Sequence, residues 1–157
     1  MQNTSSQNRE RMNLLFTGVM LELVLLAVQF IIGMWINLFA LFPTGNTGFP
    51  MNGMMSVMFS VPELMAHMMI GMLVGLLSLM IFALSLIVND RRSAMLSAVA
   101  SLSIFLAGIS GLEFMLSGFQ VNILSFLMSL GFVVAVISYV FLIYSASMES
   151  VTQRLHL

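Results

Sequence analysis

Few side chains within the long apolar blocks of this sequence can carry chemistry: Glu22, Gln29, Asn37, Glu63, His67 and Glu113. His67 combines the most signals. It stands four residues after Glu63, so in a helix the two share a face. It also stands four residues before Gly71, on a stripe of small residues that faces another helix rather than lipid. A histidine flanked by glycines can ligate a haem iron, because the missing side chains leave room for a porphyrin and a nearby carboxylate can orient the ring. Haem b through His67 is therefore one reading, with Met128 as a second ligand. A quinone hydrogen-bonded by His67 and Glu113 is another. A third is a structural histidine bonded to Glu113, Glu63 or a backbone carbonyl, with no cofactor. By helical rise His67 lies roughly 10 Å inside the start of its block. Glu113 lies near the corresponding end of the next, so both fit one layer.

The other candidates are plainer. Glu63 has a local role, because Ser60-Val61-Pro62-Glu63 reads as a capping box with Pro in the first turn. Glu22 has no such role. It shares a stripe with Gly18, Gln29 and Gly33 that must face protein, so Glu22 and Gln29 are expected to contact a neighbouring subunit. A proton path through Glu22 is a further reading. Ionisable groups inside a membrane are costly and need a partner or a task. Seventeen Met raise copper as a soft-ligand option, but Met also serves as a flexible apolar filler. The two His are too few for a multi-His metal centre, and no catalytic residue or metal site is expected. No HExxH, phosphate-binding loop or Ser–His–Asp spacing occurs. There is no Cys, which excludes disulfides and thiolate chemistry.

The elements that must position these residues are membrane spans. The chain is 60% hydrophobic and 7% charged, where an ordinary soluble domain is about 25% charged. Its mean hydropathy of +1.07 makes lipid the natural solvent. Spans are expected over residues 13–42, 61–88, 93–116 and 123–146, one four-pass domain over 1–157. Pro43, Gly45, Asn46, Gly48 and Pro50 mark an outer loop. Met51 to Phe59 is too short to cross and is expected either at the interface or as a plug of the outer face. Asn89 to Arg92 form an inner turn and Ser117 to Asn122 an outer one. Short connections predict an all-α up-down four-helix bundle. All five cations are Arg, at 9, 11, 91, 92 and 154. The loops after spans one and three have none, so both termini are expected on the cytoplasmic side of the cell membrane. The polar start lacks a small-residue cleavage site, so the first span is expected to persist. Nothing in a net charge of −1 suggests nucleic acid.

Small residues mark the expected packing faces: Gly71, Gly75 and Ser78 in the second span, and Ala94, Ser97, Ser101, Gly108 and Gly111 in the third. They let backbones approach closely where lipid removes the hydrophobic drive. The two halves suggest a duplicated hairpin, with the segment Phe30 to Gly33 answered by Ala107 to Gly111, and Gly71 by Gly131.

Gln29-Phe30-Ile31-Ile32-Gly33, then a Pro/Gly loop, then Ala66-His67-Met68-Met69-Ile70-Gly71, resembles half of a haem A synthase. That resemblance covers Gln29 to Gly71. It implies a four-helix half with His67 as an axial haem ligand. The second hairpin departs from it, because Ser125-Phe126-Leu127-Met128 stands where another histidine is expected, and the family's outer-loop acidic and cysteine features are absent. The leading expectation is a non-catalytic integral subunit of a larger membrane complex, such as a respiratory or electron-transfer assembly, in contact with lipid and other membrane subunits. A haem-binding protein and an oligomeric small transporter or channel are the alternatives.

Overall fold

The computed structural model describes residues 2–40 and 60–155, all but a few of them in four helices. They are α1 (Gln2–Phe39), α2 (Pro62–Val88), α3 (Arg91–Leu116) and α4 (Asn122–Leu155). Each contains a stretch long and apolar enough to cross a membrane: Glu10–Phe39, Pro62–Val88, Arg91–Leu116 and Asn122–Ser145. The 27 residues of α2 reach about 40 Å at helical rise, enough for a hydrocarbon layer with its interfaces. α1 and α4 run beyond the expected spans into the polar segments at the chain ends. The expected loop at 43–50 and interfacial stretch at 51–59 lie outside the described residues.

Cross-helix contacts define an antiparallel register throughout. Gly33 faces His67 and Gly18 faces Ile81 across α1/α2. Ser85 pairs with Ser97 and Ser78 with Ser101 across α2/α3. Gly131 meets Ser103 and Ala107, and Gly111 meets Met128, across α3/α4. Phe30 stacks on Phe132 across α1/α4, with ring centroids 4.9 Å apart. Both termini therefore share an end with the α2–α3 turn, here called the terminal end. The opposite end is the loop end.

Local chemistry sets the turns. Asn89 takes the left-handed conformation (φ 59°) as the C-cap of α2. Asp90 then caps α3, accepting from the amides of Arg92 at 3.2 Å and Ser93 at 2.9 Å. Arg91 and Arg92 are thus the first residues of α3 rather than part of the turn. α3 ends in a Schellman motif, with Gly118 at φ 68°. The Phe119 amide bonds the Phe114 carbonyl, the Gly118 amide bonds that of Met115, and the Phe114 and Phe119 rings meet edge-to-face.

The expected capping box does not form. A residue before proline is pushed out of the helical region, and Val61 accordingly stays extended (φ −122°, ψ 90°). It becomes the cap in place of Ser60, and its carbonyl accepts from Leu64 and Met65. Glu63 is left exposed in the first turn, where a carboxylate suits the helix dipole.

The main core is built from Leu15, Val19, Leu26, Val74, Ile81, Ala100, Ile104, Ala135, Tyr139 and Leu142. A smaller cluster of Ile36, Val61, Leu64 and Met115 closes the loop end. The core is unusually hydroxyl-rich. Ser78, Ser85, Ser93, Ser97 and Ser101 are buried along the α2/α3 seam. Ser85 and Ser97 bond each other at 2.7 Å, and Ser101 donates to the Ser78 carbonyl at 3.0 Å. In lipid such interhelical bonds are worth about 0.6 kcal/mol each, so close approach contributes as much as the bonds themselves.

Candidate functional site

Two buried polar groups occupy different depths. The first, near the loop end, joins α1 and α2 around His67. The His67 ring covers Gly33: a Cβ there would lie 3.0 Å from Cε1 and 3.6 Å from Nδ1. Gln29, one turn along α1, donates from Nε2 to the His67 carbonyl at 2.9 Å. The same amide nitrogen would lie 3.0 Å from a Cβ on Gly71. Each of these two glycines gives its space to a polar side chain from the opposite helix. The His67 Nδ1 and Gln29 Oε1 atoms are buried and have no hydrogen-bond partner.

The second hairpin repeats the arrangement. Met128 on α4 lies over Gly111 on α3, its methyl 3.3 Å and its sulfur 3.5 Å from a Cβ there. The register puts His67 and Met128 at similar depth, each pressed into the glycine gap of its own hairpin. The gaps at Gly33 and Gly111 are filled by the His67 and Met128 side chains. An open pocket of about 230 Å³ at the loop end, lined by Trp35, Phe39, Ala40, Ser60, Val61 and Glu63, does not include His67. Glu113 has the expected depth, but its side chain is exposed on α3, as that of Glu63 is on α2. Neither bonds the His67 ring among the described residues. Asn37 is also exposed.

The second group lies at mid-depth. Glu22 is about 18 Å along the Glu10–Phe39 span. The stripe of Gly18, Glu22, Gln29 and Gly33 does face protein, but that protein is the chain's own bundle. Glu22 is 0% exposed, so it is no surface for a partner subunit. Both its carboxyl oxygens lack a hydrogen-bond partner. Val19 and Leu26, a turn to either side, belong to the apolar core. Across the bundle Glu22 faces Tyr139 of α4, which is also 0% exposed and within reach of Ser101. The Tyr139 hydroxyl makes no well-formed bond, and the Ser101 proton is committed to the Ser78 carbonyl. With Gly18 against Ile81, Glu22 comes level with Ser78. One polar side chain from each helix therefore stands near a single level: Glu22, Ser78, Ser101 and Tyr139.

Sequence reasoning missed Tyr139 and the depth match of the two serines with Glu22. A signal was present, since Tyr139 is a lone phenol well inside an apolar span with Ser138 beside it. Two packing expectations also change. Gly108 has nothing within 4 Å of a Cβ, whereas Gly131 is the tightest glycine among the described residues, 2.6 Å from the Ser103 carbonyl oxygen. Gly75 makes only ordinary contact with Phe105, at 3.9 Å. Among the described residues no group of three or more His, Cys, Asp or Glu could hold a metal ion.

Comparison of the chain with protein-family models, curated proteins and solved structures finds no match.

Proposed function

We propose that this chain is a non-catalytic integral membrane subunit that handles a small cation, the proton in the first instance, for a larger membrane assembly. One observation carries the reading: a carboxyl group in the middle of a membrane-spanning bundle, fully buried, with neither oxygen bonded. Desolvating an unpaired carboxyl is expensive, and acids at this depth usually serve ion or proton movement. A purely structural role would be filled more cheaply by leucine. The Arg residues at the terminal end, Arg11, Arg91 and Arg92 among them, support an orientation in which that end faces the cytoplasm of a cell membrane.

The assembly part of the reading rests on access. Within this bundle Leu15, Val19, Leu26 and Ile81 seal the layer, so an ion reaching Glu22 needs a wall to move. The α1/α4 seam, held by the Phe30–Phe132 stack, is the least extensive contact between neighbouring helices. It is where a partner would open or complete a path.

Infrared difference spectroscopy on the lipid-embedded protein tests the reading. A protonated-carboxyl band that is lost in Glu22→Gln and responds to a pH step is expected. A Glu22 band indifferent to pH across the whole range in which the fold survives would refute the reading. A chain that migrates as a free monomer in a mild extract of its native membrane would remove the assembly half.

A further inference from the structure

We propose that Glu22, Tyr139, Ser101 and Ser78, one side chain from each helix, form a binding site for a single sodium ion that competes with the proton on Glu22. The inference rests on the cation-handling reading above and names the ion that the layer accepts.

The donor set is all oxygen, which selects hard cations. It is also pre-arranged to accept positive charge. The Ser78 hydroxyl donates to the Gly75 carbonyl at 2.8 Å, and the Ser101 hydroxyl to the Ser78 carbonyl at 3.0 Å. A hydroxyl has one proton and two lone pairs. With the protons spent on backbone carbonyls, both serines have only lone pairs left to offer the layer. The Tyr139 oxygen and both Glu22 oxygens are buried and uncommitted. Three buried oxygens, two on Glu22 and one on Tyr139, therefore stand unbonded at the level of Ser78 and Ser101, in a core that is otherwise apolar.

Charge balance selects a monovalent ion. One carboxylate neutralises one positive charge. A divalent ion would leave a net charge buried among Val19, Leu26 and Ile81, a cost that nothing in the layer offsets. Among the described residues, the titratable group beside Glu22 is Tyr139 from α4, and the serines of α2 and α3 stand at its level. No cationic side chain among them competes for the carboxylate. Binding sodium would draw the four helices onto one ion and displace the Glu22 proton to the medium, a one-for-one exchange that leaves the core neutral in both states.

The test is labelling of the protein in its native membrane, where any partner that opens a path to Glu22 is present, with a hydrophobic carbodiimide, which reacts with the protonated carboxylic acid. Mass spectrometry reads the extent at Glu22, in sodium chloride and in potassium and choline chloride at equal ionic strength. A single-site ligand at ten times its dissociation constant leaves about one site in eleven free, so labelling should slow about tenfold in sodium alone. Tyr139→Phe and Ser101→Ala should label as fast as the parent in choline but need more sodium for the same protection. Tyr139→Phe keeps the ring and removes a hydroxyl without a well-formed bond, so the bundle should fold.

Labelling that proceeds equally in all three salts would overturn the sodium site and leave the proton reading standing. Protection by potassium to the same extent as sodium, relative to choline, would overturn it too, since the layer would then not distinguish the two ions. Absence of labelling at Glu22 in choline would also overturn the site, because a carboxyl that exchanges its cation must be reachable. Only a pH-indifferent Glu22 band in the infrared experiment would remove the underlying function as well.

Discussion

Three glycines along the α3/α4 pair face different surroundings, and the same Gly→Ala change at each should give a different sign. At Gly131 an added Cβ would lie 2.6 Å from the Ser103 carbonyl oxygen, 3.0 Å from the Ala107 Cβ and 3.4 Å from the Ala107 nitrogen. These are backbone atoms and a methyl rooted on the backbone, so no side chain can swing aside. Reaching an ordinary 3.4 Å contact means parting α3 and α4 locally by about 0.8 Å. A gap of that size forfeits a quarter to a half of each nearby dispersion contact. α3/α4 is the most extensive interface in the bundle. The loss should fall in the usual overpacking range of about 1–3 kcal/mol, partly offset by about 1 kcal/mol of better helix propensity. At Gly108 nothing lies within 4 Å, so Ala should be neutral or stabilising by up to about 1 kcal/mol. At Gly111 the obstacle is the mobile tip of Met128, 3.3 Å away, and the change should be near neutral. Reversible unfolding in mixed micelles reads all three. Gly131→Ala should be the least stable, below Gly108→Ala by about 2 kcal/mol. Equal stabilities for Gly131→Ala and Gly108→Ala, or the reverse order, would refute the α3/α4 register.

Two further perturbations address the α2–α3 turn and the His67 group. Partial burial pushes the Asp90 carboxyl up, but the bonds from Ser93 and Arg92 and the Arg92 charge outweigh it and hold the group below its ordinary 3.8. A depressed folded-state value stabilises above the ordinary carboxylate range, and that contribution is lost as pH falls through the folded value. Asp90→Ala should therefore cost about 1 kcal/mol near neutrality, while Asp90→Asn should keep most of the cap and flatten the acid limb of the stability–pH curve. An unchanged acid limb in the Asn variant would contradict this account. Gly33→Ala should destabilise, because its Cβ meets the His67 ring at 3.0 Å. Adding His67→Ala should relieve that clash, so the double variant should be more stable than the sum of the single effects implies. Strict additivity in the cycle would show that the ring does not sit on Gly33.

The amino-acid sequence carried the coarse architecture because lipid imposes a simple rule: long apolar runs must be helices, and polar punctuation must be outside. Hence α2 and α3 begin and end within two residues of the expected second and third spans, and α4 begins one residue from the fourth. Local rules competed where the sequence misled. Ser60 and Glu63 have capping-box spacing, but Pro62 holds Val61 extended and shifts the helix start past Ser60. Gly108 lies seven residues from Ser101 and so reads as part of one stripe. The structure divides that stripe between two partners. Ser97 and Ser101 serve α2, whereas Ala107 and Gly111 serve α4, and Gly108 falls between them.

The Glu22 layer was legible only in part, and the reason is physical. Periodicity places Glu22 on the protein-facing stripe of α1, and that placement stands. What the stripe faces depends on the angle at which α1 crosses its neighbours. A helix that is apolar on every side barely encodes that angle, because no polar face marks which way it turns. A partner in another subunit is the natural reading as long as no polar group elsewhere in the chain is matched to Glu22 in depth. The match lies in Tyr139, 117 positions away in sequence, and in two serines that read as packing residues. Each is unremarkable on its own helix. Chemistry appears only when four registers, each set by small-residue contacts several turns away, bring the oxygens to one level. The glycines and serines that fix those registers therefore have as much claim to the site as the carboxyl group itself.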